Sequence, residues 1–464
     1  MIKKINSLAI ILAGLNYGDE GKGTTVDFLT RHYNAHTVVR YNGGAQAAHN
    51  VVTDDGVSHC FAQFGSGTLV PGTKTYLSRF MLVNPINLHN EHEGLVSIGV
   101  GDGYDRLYID EQAVIITPLH RELNRIREIA RGAYRHGSCG QGIWETYKHA
   151  RDFSDEAIRV KDLNNAGRLF AKLQKLHDRV MEEVRDIKLL WDEDRLDMRD
   201  CIDELNQENF ITDMIQQLRQ DIDRLQIVPQ TKLSELLSKD GVVLFEGAQG
   251  VLLDAWYGFF PYVTGTDTTM SNADQLLSEC AYQGEVRRYG IVRAYMTRHG
   301  AGPFVSEDQE LGQQIPDMHN ATGRWQGGFR IGWFDLVATK FAMDLTGPLD
   351  GLIVTNLDRL EGLGKIKTCV GYKIKDGKVI NSLPTYRGMT RVDQEQLTKQ
   401  IIGYQAQFED FDLEQGDMEE YALWLSKQLQ VPLFMTSRGV SSSAKNIYNP
   451  AKKAGFLFDT NLKP

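Results

Sequence analysis

The segment Gly14-Leu15-Asn16-Tyr17-Gly18-Asp19-Glu20-Gly21-Lys22-Gly23-Thr24-Thr25 sets glycines, two acids and a lysine between a buried-strand pattern and a helical start. Glycines let a backbone turn tightly and aim N–H groups at an anion, and a following helix N-terminus adds partial positive charge. Lys22 adds a full one. A standard P-loop has Gly six positions before the Lys and Ser or Thr directly after it, whereas those places hold Asn16 and Gly23. The usual hydroxyl ligand to Mg²⁺ is missing, and Asp19 is a carboxylate in position to replace it. A second loop, Arg40-Tyr41-Asn42-Gly43-Gly44-Ala45-Gln46-Ala47-Ala48-His49-Asn50, combines two glycines and small residues with a histidine. Close backbone approach to a ligand is permitted there, with His49 as an acid or base inside the loop.

Both loops follow short β-branched runs. Such runs recur at residues 7–14, 36–40, 242–247, 290–298, 351–358 and 431–439, separated by helical patterns. Near-continuous apolar strands of this kind predict an α/β fold: a large, mostly parallel central sheet covered by helices on both faces. Polar groups gather at the strands' C-terminal ends, where open α/β sheets bind ligands. Residues 161–227 are Leu-rich, charge-rich and Gly-poor, and Leu169, Leu173, Leu176, Val180, Val184 and Ile187 recur at helical spacing. This stretch predicts a helical insertion subdomain packed on the sheet, within one domain spanning 1–464.

Composition narrows the classes. The chain has 464 residues, 42% hydrophobic and 24% charged, with a formal net charge of −10. Those are globular values, and the acidic balance argues against a general grip on a nucleic-acid backbone. Two lysines ahead of residues 8–13 resemble a secretory signal, but the apolar run is too short and enters a Gly-rich loop, so it reads as a buried first strand. No membrane span is expected. Five widely spaced cysteines without a CxxC pair disfavour zinc and disulfides and suggest a reducing cytoplasmic compartment.

The two loops together resemble the adenylosuccinate synthetase family, with its Gly-Asp-Glu-Gly-Lys-Gly loop and later Gly-Gly-x-Asn-Ala-Gly-His loop. The resemblance continues through Phe245-Glu246-Gly247-Ala248-Gln249-Gly250, Pro261-Tyr262-Val263-Thr264, Thr297-Arg298-His299-Gly300-Ala301-Gly302-Pro303-Phe304, Thr322-Gly323-Arg324, Gly332-Trp333-Phe334-Asp335 and Thr355-Asn356-Leu357-Asp358. It implies a homodimeric, Mg²⁺-dependent ligase of purine biosynthesis that couples IMP to L-aspartate with GTP, through a 6-phosphoryl intermediate. On this resemblance Asp19 is the base and a metal ligand, Lys22 a phosphate clamp, His49 the acid supporting charge on the migrating phosphoryl, and the Ala48 carbonyl a second metal ligand. Gln249 joins the catalytic set.

The remaining positions carry over one at a time. Gly18, Glu20, Gly21, Gly23, Thr24 and Asn50 belong to the nucleotide-binding loops, and Asn42, Gln46 and Thr264 to the substrate side. Cys139, with Ser138 before it, stands where the family has a phosphate-binding Thr. Arg151 is the nearest match to an arginine supplied by the second subunit. Thr322, Arg324 and Arg330 fall in the aspartate-binding stretch, where the usual run of four arginines is replaced by Arg324-Trp325-Gln326-Gly327-Gly328-Phe329-Arg330. Asp358 suits the N1–H and N2–H₂ edge of guanine, with Asn356 in place of a Lys, and Ser437 and Gly439 match the late base contact. The altered histidine loop, the Trp-Gln-Gly insertion and Asn356 also point to the phage-type relatives that join aspartate to GMP or dGMP, with ATP or GTP as donor. Asp19 points away from them. A nucleotide-binding sensor without turnover is the reading outside enzymes.

Overall fold

The computed structural model describes residues 7–189, 196–317, 325–385, 388–412 and 417–448. Its centre is a ten-stranded sheet. In chain order the strands are β1 (Ser7–Gly14), β2 (Thr37–Arg40), β3 (Lys74–Leu77), β4 (Leu107–Asp110), β5 (Gln226–Val228), β6 (Gly241–Gly250), β7 (Glu285–Arg293), β8 (Gly351–Thr355), β9 (Leu433–Ser437) and β10 (Lys445–Ile447). Their spatial order is β10-β9-β8-β7-β1-β6-β2-β3-β4-β5. All neighbours are parallel except β9 and β10.

The pleat explains why β1 is apolar throughout. Ile10 and Leu12 share a core with Val26 and Leu29 of α1 (Lys22–Tyr33), whereas Ala9 and Ile11 share one with Leu233, Leu236, Ala273 and Leu276. Alternate residues thus feed opposite layers, and both faces of the sheet are covered. Pairing of β1 with β6 runs in register from Ser7↔Gly241 to Leu12↔Glu246, then shifts so that Gly14 meets Gly250. The extra residues of β6 bulge at that point and put Gln249 in a left-handed conformation, φ 57°.

Helices α2 (Pro118–Arg131) and α3 (Ile143–Asp152) precede the charge-rich stretch, which forms α4 (Ala166–Leu189), α5 (Leu196–Leu205) and α6 (Phe210–Leu218). Leu169, Leu173, Leu176, Val180 and Val184 are buried with Leu123, Ile126 and Ile129 of α2 and with Leu107 and Ile109 of β4, and Ile187 packs partly buried beside them. The helices therefore extend the core of the sheet's edge. The stretch is not helical to its end, because Gln226–Val228 is the edge strand β5.

Two other runs end earlier than their composition suggests. Residues 290–298 divide between β7 and a separate strand, Met296–His299, which pairs antiparallel with Phe329–Gly332. β8 stops at Thr355, since Asn356 turns left-handed at φ 58° and Leu357–Leu360 is a 3₁₀ turn, a conformation Asn tolerates better than branched residues. Asp358 lies on that turn. Among the described residues no helix is long and apolar enough to cross a membrane.

Candidate functional site

The carboxyl ends of β1, β6, β7 and β8 converge on the loop that precedes α1. Gly18, Asp19 and Gly21 all have positive φ, at 93°, 60° and 76°. Asp19 is the non-glycine among them, and a left-handed aspartate persists only where its surroundings fix it. Arg293, at the end of β7, donates from Nη1 to the Asp19 carbonyl at 3.2 Å. His299 places Nε2 3.0 Å from Asp19 Oδ2. Beneath the loop, the buried Glu20 carboxylate accepts from the amides of Asn16 and Gly18, at 3.1 and 2.8 Å, and from Lys22 Nζ at 2.5 Å. Thr355 Oγ1 donates to the Glu20 carbonyl at 2.8 Å, tying β8 to the loop. The side chain of Glu20 is thus committed inward, and only its backbone remains for a nucleotide. The approach is close: a Cβ on Gly14 would fall 2.2 Å from Glu20 Oε2, and one on Gly250 2.2 Å from the Asn16 carbonyl.

The second loop packs on the start of α1. A Cβ on Gly23 would lie 2.7 Å from the carbonyl carbon of His49. That contact explains the missing P-loop hydroxyl, since no side chain fits at position 23 while His49 sits there. His49 Nδ1 is 2.5 Å from Glu246 Oε1, and Glu246 Oε2 accepts from the Ser66 amide at 2.9 Å. Asn42 has a scaffold role: its amide bridges the Ala248 N–H at 2.7 Å and the Asp267 carbonyl at 2.8 Å. The amide oxygens of Gln46 and Gln249 are buried without a hydrogen-bond partner among the described residues, and they flank the Gly43-Gly44 turn. Buried acceptors are normally satisfied, so these two mark a place for a donor-bearing ligand or water. Ala48 and Asn50 are exposed beside His49.

The charges at the centre are unequal. Burial works to raise the Asp19 carboxyl, but the bond to His299 and the positive groups of His299, Arg293 and Lys22 hold it below the usual carboxylate range. Burial pulls His49 down to about 4 against the opposing effect of Glu246. Burial also opposes ionisation of Glu246, yet Arg40, His49 and Ser66 keep it below its ordinary value. At neutral pH Asp19 and Glu246 are ionised and His49 is neutral. To serve as an acid, the ring must first gain a proton at Nε2.

The outer positions form a rim. Thr24 Oγ1 donates to the Val440 carbonyl at 2.8 Å, joining α1 to the segment after β9, where Ser437 Oγ donates to the Gly439 carbonyl at 3.1 Å. Burial raises the Asp358 carboxyl. Ser138 Oγ lies 3.2 Å from Asn124 Oδ1, while Cys139 packs beside Ala45, Leu82 and Ile143 with a thiol that burial pushes up, a poor phosphate donor. The backbone of Thr264-Gly265 borders α3, with a Gly265 Cβ position 2.9 Å from Trp144 Cα. Arg151 lies exposed in the last turn of α3, paired with its neighbour Asp152 at 2.7 Å. Arg330 is engaged by Glu307 and by the carbonyls of Gly300 and Gly302, so its guanidinium shapes the loop in this state. Thr322 and Arg324 lie outside the described residues. The aromatic insertion has a packing role, for Trp325 covers Gly140, whose Cβ position is 2.7 Å from the indole.

Glu246, His299 and Arg293 are the residues whose parts the sequence did not reveal. The first two stand inside recognisable motifs, and Arg293 carries only the weaker signal of a charge at the end of an apolar strand.

Loop amides that can cradle phosphates, beside an ionised carboxylate at the carboxyl edge of a parallel sheet, define an α/β enzyme that handles nucleotides. Comparison with known proteins narrows the class. The family model described as adenylosuccinate synthetase matches residues 11–445, and the chain belongs to that family of ligases, which form a C–N bond. The adenylosuccinate synthetase of Chlorobium phaeobacteroides is 32% identical over 444 residues, covering 93% of this chain and 95% of that one. That of Clostridium beijerinckii is 35% identical over 378 residues, covering 81% and 83%. The fully ligated adenylosuccinate synthetase of Plasmodium falciparum superposes with a TM-score of 0.72 at 24% identity, over 95% of this chain and 99% of that one. The succinoaminodeoxyadenylate synthetase of cyanophage S-2L, solved with dGMP and dATP, shares the fold with a TM-score of 0.56 at 14% identity, over 95% of each chain.

Proposed function

We propose that this chain joins L-aspartate to carbon 6 of a 6-oxopurine nucleotide, IMP in the first place, with GTP as phosphoryl donor. The observation that carries the reading is the glycine loop that holds a left-handed Asp19 three residues before Lys22, with the His49 loop packed directly on Gly23. An amide-like 6-oxo group leaves poorly. Asp19 takes the N1 proton, O6 then attacks the γ-phosphoryl as GDP leaves, and the aspartate amine adds to C6, losing a proton as phosphate departs. Lys22 and the loop amides hold the phosphates, and Gln249 and Gln46 offer their unpartnered oxygens to the acceptor nucleotide. The anionic phosphoryl favours the imidazolium of His49, which Glu246 also supports, so protonation accompanies ligand binding. These groups act by position and electrostatics.

Mg²⁺ suits the donors here: the Asp19 carboxylate, with lone pairs left beyond the bond to His299, and the Ala48 carbonyl would supply hard oxygen ligands. When bound, the ion neutralises phosphate charge. Asp358, Asn356, Ser437 and Gly439 form the base end of the donor site, while Arg330, Arg324 and Thr322 serve aspartate. We place Arg151 across a homodimer interface, and the protein in the cytoplasm. A second reading, transfer to GMP or dGMP with ATP or GTP, is favoured by Asn356 and the Trp325 insertion.

The test is to supply Mg²⁺, aspartate and GTP or ATP with IMP, GMP and dGMP in turn and to follow succinyl-nucleotide formation by mass. Product from IMP is the expected result. Product from dGMP alone would establish the second reading, and no product from any acceptor would leave a binding protein without turnover.

A further inference from the structure

His299 ends the strand Met296–His299, opposite Phe329 in the antiparallel pair, and the Phe329 ring meets the imidazole edge-on at 4.8 Å between centroids. Strand pairing and this ring contact hold the imidazole from behind, leaving Nε2 directed at Asp19 Oδ2, 3.0 Å away. An ionised carboxylate only accepts, so Nε2 carries the hydrogen. No other side chain among the described residues is hydrogen-bonded to the Asp19 carboxylate. Lys22, the near cation on the same loop, is drawn to Glu20 at 2.5 Å. Arg293 holds the main chain of Asp19 but reaches only its carbonyl.

We propose that His299 is the positioning residue of Asp19: by donating to Oδ2 it fixes the rotation of the carboxylate and presents Oδ1 to the acceptor nucleotide. The inference rests on the ligase reading of Asp19 as the base. A base must stand within hydrogen-bond reach of the proton it removes, and an oxygen free to rotate out of reach loses rate without losing substrate. Partners that orient functional groups from one shell further out typically contribute about 10–100-fold to activity.

The experiment compares His299→Ala and His299→Gln with the unaltered enzyme in steady-state assays of all three substrates, alongside a long-range ¹H–¹⁵N histidine spectrum. The Ala variant is expected to lose about 10–100-fold in kcat, with each KM within about threefold, and Gln, whose amide can donate from a similar position, is expected to restore most of it. In the spectrum His299 is expected to carry hydrogen on Nε2, and Asp19→Ala is expected to shift that signal. An unchanged kcat per folded Ala enzyme, a raised kcat, or a defect confined to the acceptor KM would overturn the proposal. So would a ring protonated only at Nδ1. If the unaltered enzyme turns over no acceptor, the ligase reading fails, while the spectrum still decides whether His299 donates to Asp19.

Discussion

Glu246 Oε1 lies 2.5 Å from His49 Nδ1, at the point where β6 leaves its register with β1. A carboxylate at that distance favours the tautomer with hydrogen on Nδ1, and in the proposed reaction it would support the imidazolium.

Glu246→Gln removes that support while keeping shape. The expected outcome is a kcat lower by about 10²-fold or more, with nucleotide KM values changed little and the melting temperature only slightly reduced. Loss of nucleotide binding with an intact kcat would assign Glu246 to ligand contact instead. His49→Ala is expected to give the same split between turnover and binding.

Gly23→Ser places a hydroxyl where a standard P-loop carries one. Here it is expected to weaken nucleotide binding, because its Cβ meets the His49 carbonyl carbon at 2.7 Å, well inside contact distance. Isothermal titration with GTP measures the effect, and a variant that binds GTP as well as the parent would show that the His49 loop yields.

Arg151 has an exposed end and, among the described residues, an ion pair only with Asp152, as a group reserved for a second subunit would have. Arg151→Ala and Asp19→Asn are each expected to be strongly impaired, Asp19→Asn by loss of phosphoryl transfer with the fold intact. Mixed and allowed to exchange subunits, they are expected to regain about a quarter of the parental sites, since half the dimers are mixed and each holds one complete site. No recovery after verified exchange would place Arg151 in its own subunit's chemistry or on the plain surface.

His120 is buried, and burial holds its pKa well below the ordinary 6.5. Its Nδ1 accepts from the Thr117 amide at 3.2 Å, closing a capping box at the start of α2. The folded state keeps the ring neutral while the unfolded chain binds a proton below pH 6.5, so stability falls as pH drops through that value. The loss is at most about 1.4 kcal/mol per pH unit for one group. His120→Gln preserves the capping pattern and is expected to show a smaller drop in melting temperature between pH 7 and 5 than the parent. An equal drop would mean that His120 does not contribute.

The sequence exposed what depends on local pattern. The strand of residues 7–14, the glycine loop after it and the apolar face from Leu169 to Val184 follow from residue spacing, because burial on two faces or one leaves a periodic trace. The pairing of Asp19 with His299, 280 positions apart, leaves none. Nor does the inward turn of Glu20, whose neighbours in sequence suggest a ligand contact while its hydrogen bonds go to Asn16, Gly18 and Lys22. The charge state of His49 also needed three dimensions, since burial and Glu246 act on it in opposite directions. The two early strand ends came from a main-chain departure after Arg293 and a left-handed Asn356, neither of which alters the apolar pattern.

The central step of the proposed reaction is transfer of a phosphoryl group to O6 before aspartate attacks. Its most direct test uses IMP labelled with ¹⁸O at the 6-oxo position, together with aspartate, GTP and Mg²⁺, and follows the label by mass spectrometry of the released phosphate. One ¹⁸O is expected in each inorganic phosphate, in step with adenylosuccinate formed. Adenylosuccinate accompanied by unlabelled phosphate would contradict it.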